Sequence, residues 1–158
     1  MVCVSPGGRA ARAVRPLLLL VPPLLAATTS VAATASAGAP VEIEVANVRS
    51  AEGVIRIDIC TERQFLRDCN LSATAPAHIG SVTLTLPSVP PGRYAIQAFH
   101  DRNGNGKVDR NFLGIPTEPV GFSNDAPLHM GPPKFAVAAF DHGIASQHLT
   151  LHLTSKFF

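Results

Sequence analysis

From Val41 onward the chain repeats one pattern: short runs in which apolar and polar residues alternate. In VEIEVANV, Val41, Ile43 and Val45 share one face, and Glu42 and Glu44 share the other. GVIRIDIC sets Ile55, Ile57 and Ile59 against Arg56 and Asp58. SVTLTL and HLTLHL repeat the arrangement with Val82, Leu84 and Leu86, and with Leu149, Leu151 and Leu153. A period of two belongs to half-buried strands, because successive side chains leave a strand on opposite faces. Runs with one apolar and one polar face predict antiparallel sheets packed face to face. RYAIQAFH and KFAVAAF are apolar on both faces and predict central strands.

Turn residues separate the runs, at 50–53 and in PSVPPG at 87–92, and the only local helical expectation is a turn or two within TERQFLRD. The expected fold is all-β: a single immunoglobulin-like or transthyretin-like antiparallel β-sandwich over residues 38–158, with one long ordered loop. That loop is residues 101–133, which have little strand character. A stretch of this length without regular structure is usually functional or disordered. Phe112, Leu113, Ile115, Val120 and Phe122 give it the apolar content to pack on the sandwich.

Residues 1–37 follow a different logic. Arg9, Arg12 and Arg15 precede the apolar run PLLLLVPPLLAA, and small residues then lead to Ala35-Ser36-Ala37. This order predicts a secretory signal peptide cleaved after Ala37. Pro22-Pro23 and the Ala/Thr/Ser-rich second half argue against a retained membrane span, which needs about 20 strongly apolar residues. The expected location is therefore periplasmic or secreted. Once the three leader arginines are gone, ten basic residues face 11 acidic ones, and the net charge is −1. A charge so near neutrality gives nucleic-acid binding no electrostatic support. Cys60 and Cys69 remain as an even pair in an exported chain and predict a disulfide. It closes a short loop, contributing on the order of 2–3 kcal/mol by chain entropy.

HDRNGNGKVD, residues 100–109, carries the candidate chemistry. A calcium loop needs oxygen ligands at alternate positions, glycine at the sixth and a backbone carbonyl at the seventh. Asp101, Asn103, Asn105, Gly106, Lys107 (through its carbonyl) and Asp109 fall in that register, but Phe112 stands where the bidentate acid belongs. Glu118 is the first choice to replace it and Asp125 the second. The low ligand charge predicts weak binding, at about 10⁻⁴–10⁻³ M. The same residues also build metal-free turns, because Asn and Asp side chains bond their own backbone and tolerate positive φ. His148 and His152 share a strand face but stand about 13 Å apart, too far for one ion. The other histidines lack zinc or copper ligand spacing, and GFSN is not a nucleophile elbow.

The segment PPGRYAIQAFHDRNGNGKVDRNFLGIPTEPVGFSN, followed by GPPKFAVAAF, resembles the bacterial exported proteins grouped as domain of unknown function family 2141 (DUF2141). The resemblance covers roughly residues 41–153. It implies a β-sandwich and export, carries no established activity, and implies that Glu118 and GFSN form one composite loop with residues 101–109.

The resulting expectation is an exported binding or structural module whose long loop, organised by weakly bound calcium or by its own hydrogen bonds, presents Phe112 and Phe122 to a protein or cell-envelope partner. Two alternatives stand beside it. One is a metal-assisted enzyme with His100 as base, and the other is a ligand-free assembly module with a self-complementary apolar face.

Overall fold

A computed structural model describes residues 38–156. The predicted leader and its cleavage site lie outside the described residues. Eight strands form: β1 (Ala39–Val48), β2 (Val54–Cys60), β3 (Leu71–Pro76), β4 (Gly80–Val89), β5 (Gly92–Asp101), β6 (Val120–Phe122), β7 (Phe140–His142) and β8 (Gln147–His152). They make two sheets, one in the order β4-β1-β8 and one in the order β3-β2-β5-β6, with β7 pairing the first residues of β5. The fold is an all-β sandwich. Among the described residues no helix is long and apolar enough to cross a membrane.

The alternating runs place their apolar sides as expected. Val41, Ile43 and Val45 of β1 and Val82, Leu84 and Leu86 of β4 meet Ile55, Ile57 and Ile59 of β2 and Ile96 of β5 in one buried cluster. The two sheets thus share an aliphatic core, and burying each such side chain contributes roughly 1.5–3 kcal/mol. Alternation reports a face, not a direction: β8 runs parallel to β1, with Ile43 opposite Leu149, where an antiparallel pairing was expected.

The second sheet is covered on its outer face as well. Register pairs Asp58 with Gln97, Arg56 with Phe99 and Gln97 with Phe122, so these residues share the side away from the inner core. Phe99, Val120 and Phe122 there join Phe65, Ala126 and Ala138 in a second buried cluster. This explains why RYAIQAFH is apolar on both faces. KFAVAAF does not form the expected strand. Phe135–Ala138 is a single helical turn after Pro132-Pro133, and only Phe140–His142 is strand. Ser123 fixes that turn from within, its hydroxyl donating to the Ala138 carbonyl and accepting the Ile96 N–H at 2.9 Å. The β1–β2 turn depends on Gly53, whose φ is +69° and where a Cβ would lie 2.1 Å from the Asp101 carbonyl oxygen.

Candidate binding cleft and its clasped loop

Two short segments brace the outer layer of the second sheet. The first is the loop closed by the Cys60–Cys69 disulfide, with Cα atoms 5.2 Å apart. Within it the Phe65 N–H donates to the Thr61 carbonyl; the segment is a hydrogen-bonded turn and no helix forms in it. Phe65 drops its ring edge-on against Phe122 and Phe135, with centroids 5.8 and 5.7 Å away. A disulfide of this kind fits an oxidising compartment outside the cytoplasm.

The second is the loop that follows Asp101. Asp101 is 2% exposed, and its carboxylate accepts the N–H groups of Asn105 at 3.0 Å and Gly106 at 2.7 Å. Gly106 adopts φ +76°, the left-handed conformation that the sharp turn needs. Asn103 and Asn105 each accept the N–H two residues on, at 3.1 and 2.8 Å. Their amide groups both donate to the Asp109 carboxylate, at 2.7 and 2.9 Å. Glu118 lies against the loop, at 4% exposure. Its two oxygens accept the N–H groups of Arg102 at 2.9 Å and Asp109 at 3.0 Å, so it clasps the two ends of the loop. Lys107 uses its N–H within the turn and leaves its side chain exposed.

The sequence-predicted ligand set is therefore gathered into one loop, with its side-chain oxygens accepting N–H bonds. Among the described residues there is no group of three or more His, Cys, Asp or Glu arranged to hold a metal ion. Asp125, the second-choice acid, is elsewhere: it accepts the His152 N–H and pairs with the His152 ring, both at 2.8 Å. His100 is 1% exposed, and its Nε2 donates to the Glu52 carbonyl at 2.7 Å beneath the β1–β2 turn. It does not line the cavity that this layer contains, so the base assumed by the enzyme reading is absent from it. Phe112 is 95% exposed at the loop tip, whereas Phe122, expected at the presented surface, is buried in β6. Register is the reason: Phe122 pairs with Gln97 and lies in the outer cluster.

Between these segments lies a cleft of about 640 Å³. Its floor is the outer face of the second sheet, with Phe99, Val120 and Phe122 beside Arg56, Asp58 and Gln97. Asp58 is 5% exposed and fully engaged: Arg56 reaches one oxygen at 3.1 Å, and the Gln97 amide donates to the other at 3.2 Å. Gln97 also accepts the Leu66 N–H at 3.1 Å, tying the disulfide loop to the floor. The walls are residues 66–69, 106–108, 110, 113–116, 128 and 130–132. Leu66, Leu113 and Met130 stand on the rim at 46%, 67% and 89% exposure. No motif reading could find this cleft, since its parts come from segments with no shared spacing.

No curated protein and no solved structure matches the chain. A family model matches residues 43–150, which include β1 from Ile43 onward, all of β2 to β7, the clasped loop and every wall of the cleft. The chain belongs to the family described as uncharacterized protein conserved in bacteria, DUF2141.

Proposed function

We propose that the protein is an exported binding module whose site is the cleft on the outer face of the second sheet. The observation that carries this reading is the placement of its exposed apolar side chains. Seven large ones are exposed among the described residues; Leu66, Leu113 and Met130 line this one cavity, and Phe112 adjoins Leu113 in the chain. Apolar groups gathered about a concavity mark a ligand site, and the volume is that of a small-molecule pocket. Two rim residues are also held at backbone cost: Leu66 has φ 64° and Met130 φ 54°. That conformation costs a side-chain-bearing residue roughly 1–2 kcal/mol, and strain of this kind collects at functional sites.

The test uses Nile red, a neutral apolar dye, with the protein and a Leu66→Gly/Met130→Gly variant. Glycine relieves the strained φ values, so the variant melts within a few degrees of the parent. Dye fluorescence is expected to rise on the parent and to fall at least threefold on the variant. Equal fluorescence on both, or none on either, sinks the reading.

The clasped loop supports a second reading, as a weak calcium site. Asp101, Asp109 and Glu118 are three carboxylates in one loop, and none forms a salt bridge among the described residues. Each side-chain oxygen of Asp101, Asn103, Asn105, Asp109 and Glu118 accepts one N–H and keeps a second lone pair for a hard cation. The Lys107 carbonyl completes the set. Calcium at ten times its Kd stabilises the folded state by about 1.4 kcal/mol. A melting temperature higher in millimolar calcium than in chelator is expected, with no rise in Asp101→Ala. Identical melts up to several millimolar calcium remove the metal and leave a hydrogen-bonded loop.

A further inference from the structure

We propose that the occupant of the cleft is a free single-chain amphiphile with one anionic head group. The inference rests on the cleft being a binding site and adds the chemistry of what it binds.

Charge decides the head group. The cavity walls carry Arg67, Lys107 and Arg110, all exposed, against one exposed acid, Asp68. The other acid that lines it, Asp58, is already bound by Arg56 and Gln97 on the floor. Neither Arg67 nor Lys107 forms a salt bridge among the described residues, while Arg110 is steadied by its Nη1–H donating to the Gly114 carbonyl at 2.9 Å. Among the lining side chains, three cations and one uncommitted acid leave a surplus of two positive charges; the carboxylates of Asp101, Asp109 and Glu118 do not line the cavity and are taken up by N–H groups of their own loop. The surplus contrasts with a chain that, beyond residue 37, is slightly acidic as a whole. Cations left without partners beside a concave surface attract an anion and give it charge-assisted hydrogen bonds. A cationic head group would meet repulsion there.

Shape and polarity decide the rest. Phe99, Val120 and Phe122 form an apolar strip on the floor, and Leu113 and Met130 rise beside it. An alkyl chain laid against such a strip leaves water and is held by the hydrophobic effect. A small inorganic anion would use the cations and leave the apolar walls in water. A neutral hydrocarbon would use the walls and leave the cations idle. An amphiphilic anion satisfies both parts at once, and the concave form suits a free molecule.

The experiment titrates the protein with decanoate, decan-1-ol and decyltrimethylammonium, each below its aggregation threshold, and follows binding by calorimetry and by amide shifts around the cleft. The same titrations use Arg67→Glu/Lys107→Glu and, as a milder change, Arg110→Ala, each checked by thermal melt. Decanoate is expected to bind at least tenfold more tightly than the other two. The double variant should weaken decanoate by about tenfold or more, as loss of charged hydrogen bonds predicts, and leave decan-1-ol unchanged. Equal binding of all three, or preference for the cation, overturns the anionic head group and leaves the cleft as a binding site. Nile red binding without any decyl ligand overturns the amphiphile. Absence of both dye and decyl binding overturns the cleft itself.

Discussion

The two faces of the second sheet are covered by different means. The inner face meets the first sheet through a continuous aliphatic cluster containing Val41, Ile43, Val45, Ile55, Ile57, Ile59 and Ile96. The outer face meets the disulfide loop and the segment after Asp101, through a smaller cluster in which Phe65, Phe99 and Phe122 are the large members. Burial alone suffices inside. Outside, much of the holding is specific: a disulfide, the Asp101 and Glu118 carboxylates on backbone N–H groups, and the Ser123 hydroxyl on the single helical turn. A layer held at points in this way can keep a cavity open. A continuous core cannot, because empty space there costs stability in proportion to its volume.

The largest test of this contrast is Ile57→Ala. Ile57 is fully buried between the sheets, opposite Ala98 on the same face. The substitution is expected to cost about 2–5 kcal/mol and to lower the denaturation midpoint of the whole domain. Asp101→Ala comes next, at about 1–3 kcal/mol, because it strips two backbone N–H groups of their acceptor. Its effect should be local. Amide exchange should accelerate at Asn105 and Gly106 while Ile57 and Ile96 stay protected. If exchange accelerates equally in both clusters, the outer layer is not a separate unit and the contrast fails.

The same contrast explains what the sequence revealed. Strands β1, β4 and β8 were legible because one face of each is covered and the other is wet, which writes a period of two into the residues; β2 alternates because its covered outer face still carries the polar pair Arg56 and Asp58. β3 was missed: Leu71, Ala73 and Ala75 do alternate, but small side chains at a half-buried edge carry little hydrophobic signal. KFAVAAF misled because its apolar character does not report a strand: Ala136 and Val137 are exposed on a helical turn, and only Phe140 of the run belongs to a strand. The loop residues were legible as a set, since Asp, Asn and Gly at alternate positions make turns by local bonding. The clasp by Glu118 was legible only as proximity; that its oxygens would take the N–H groups of Arg102 and Asp109 depends on how the chain returns to β6. The cleft was not legible at all. Arg67, Lys107, Leu113 and Met130 become neighbours only when three separate segments settle on one sheet face.

Phe112→Ala should have the smallest effect, and its smallness is informative. The ring is 95% exposed at the tip of a turn that Asn111 holds, through side-chain bonds to the N–H groups of Leu113 and Ile115 at 3.0 Å each. The ring therefore does little for the fold, and stability measured by denaturation should change by less than about 0.5 kcal/mol. A loss above about 1 kcal/mol would mean that the ring is covered in solution, with the loop tip folded down onto an apolar surface. The nearest such surface along the chain is the rim at Leu113, so that outcome would make the cleft a closed compartment in its free state. Unchanged stability keeps the cleft open and leaves Phe112 beside its mouth, an apolar side chain that the fold does not use.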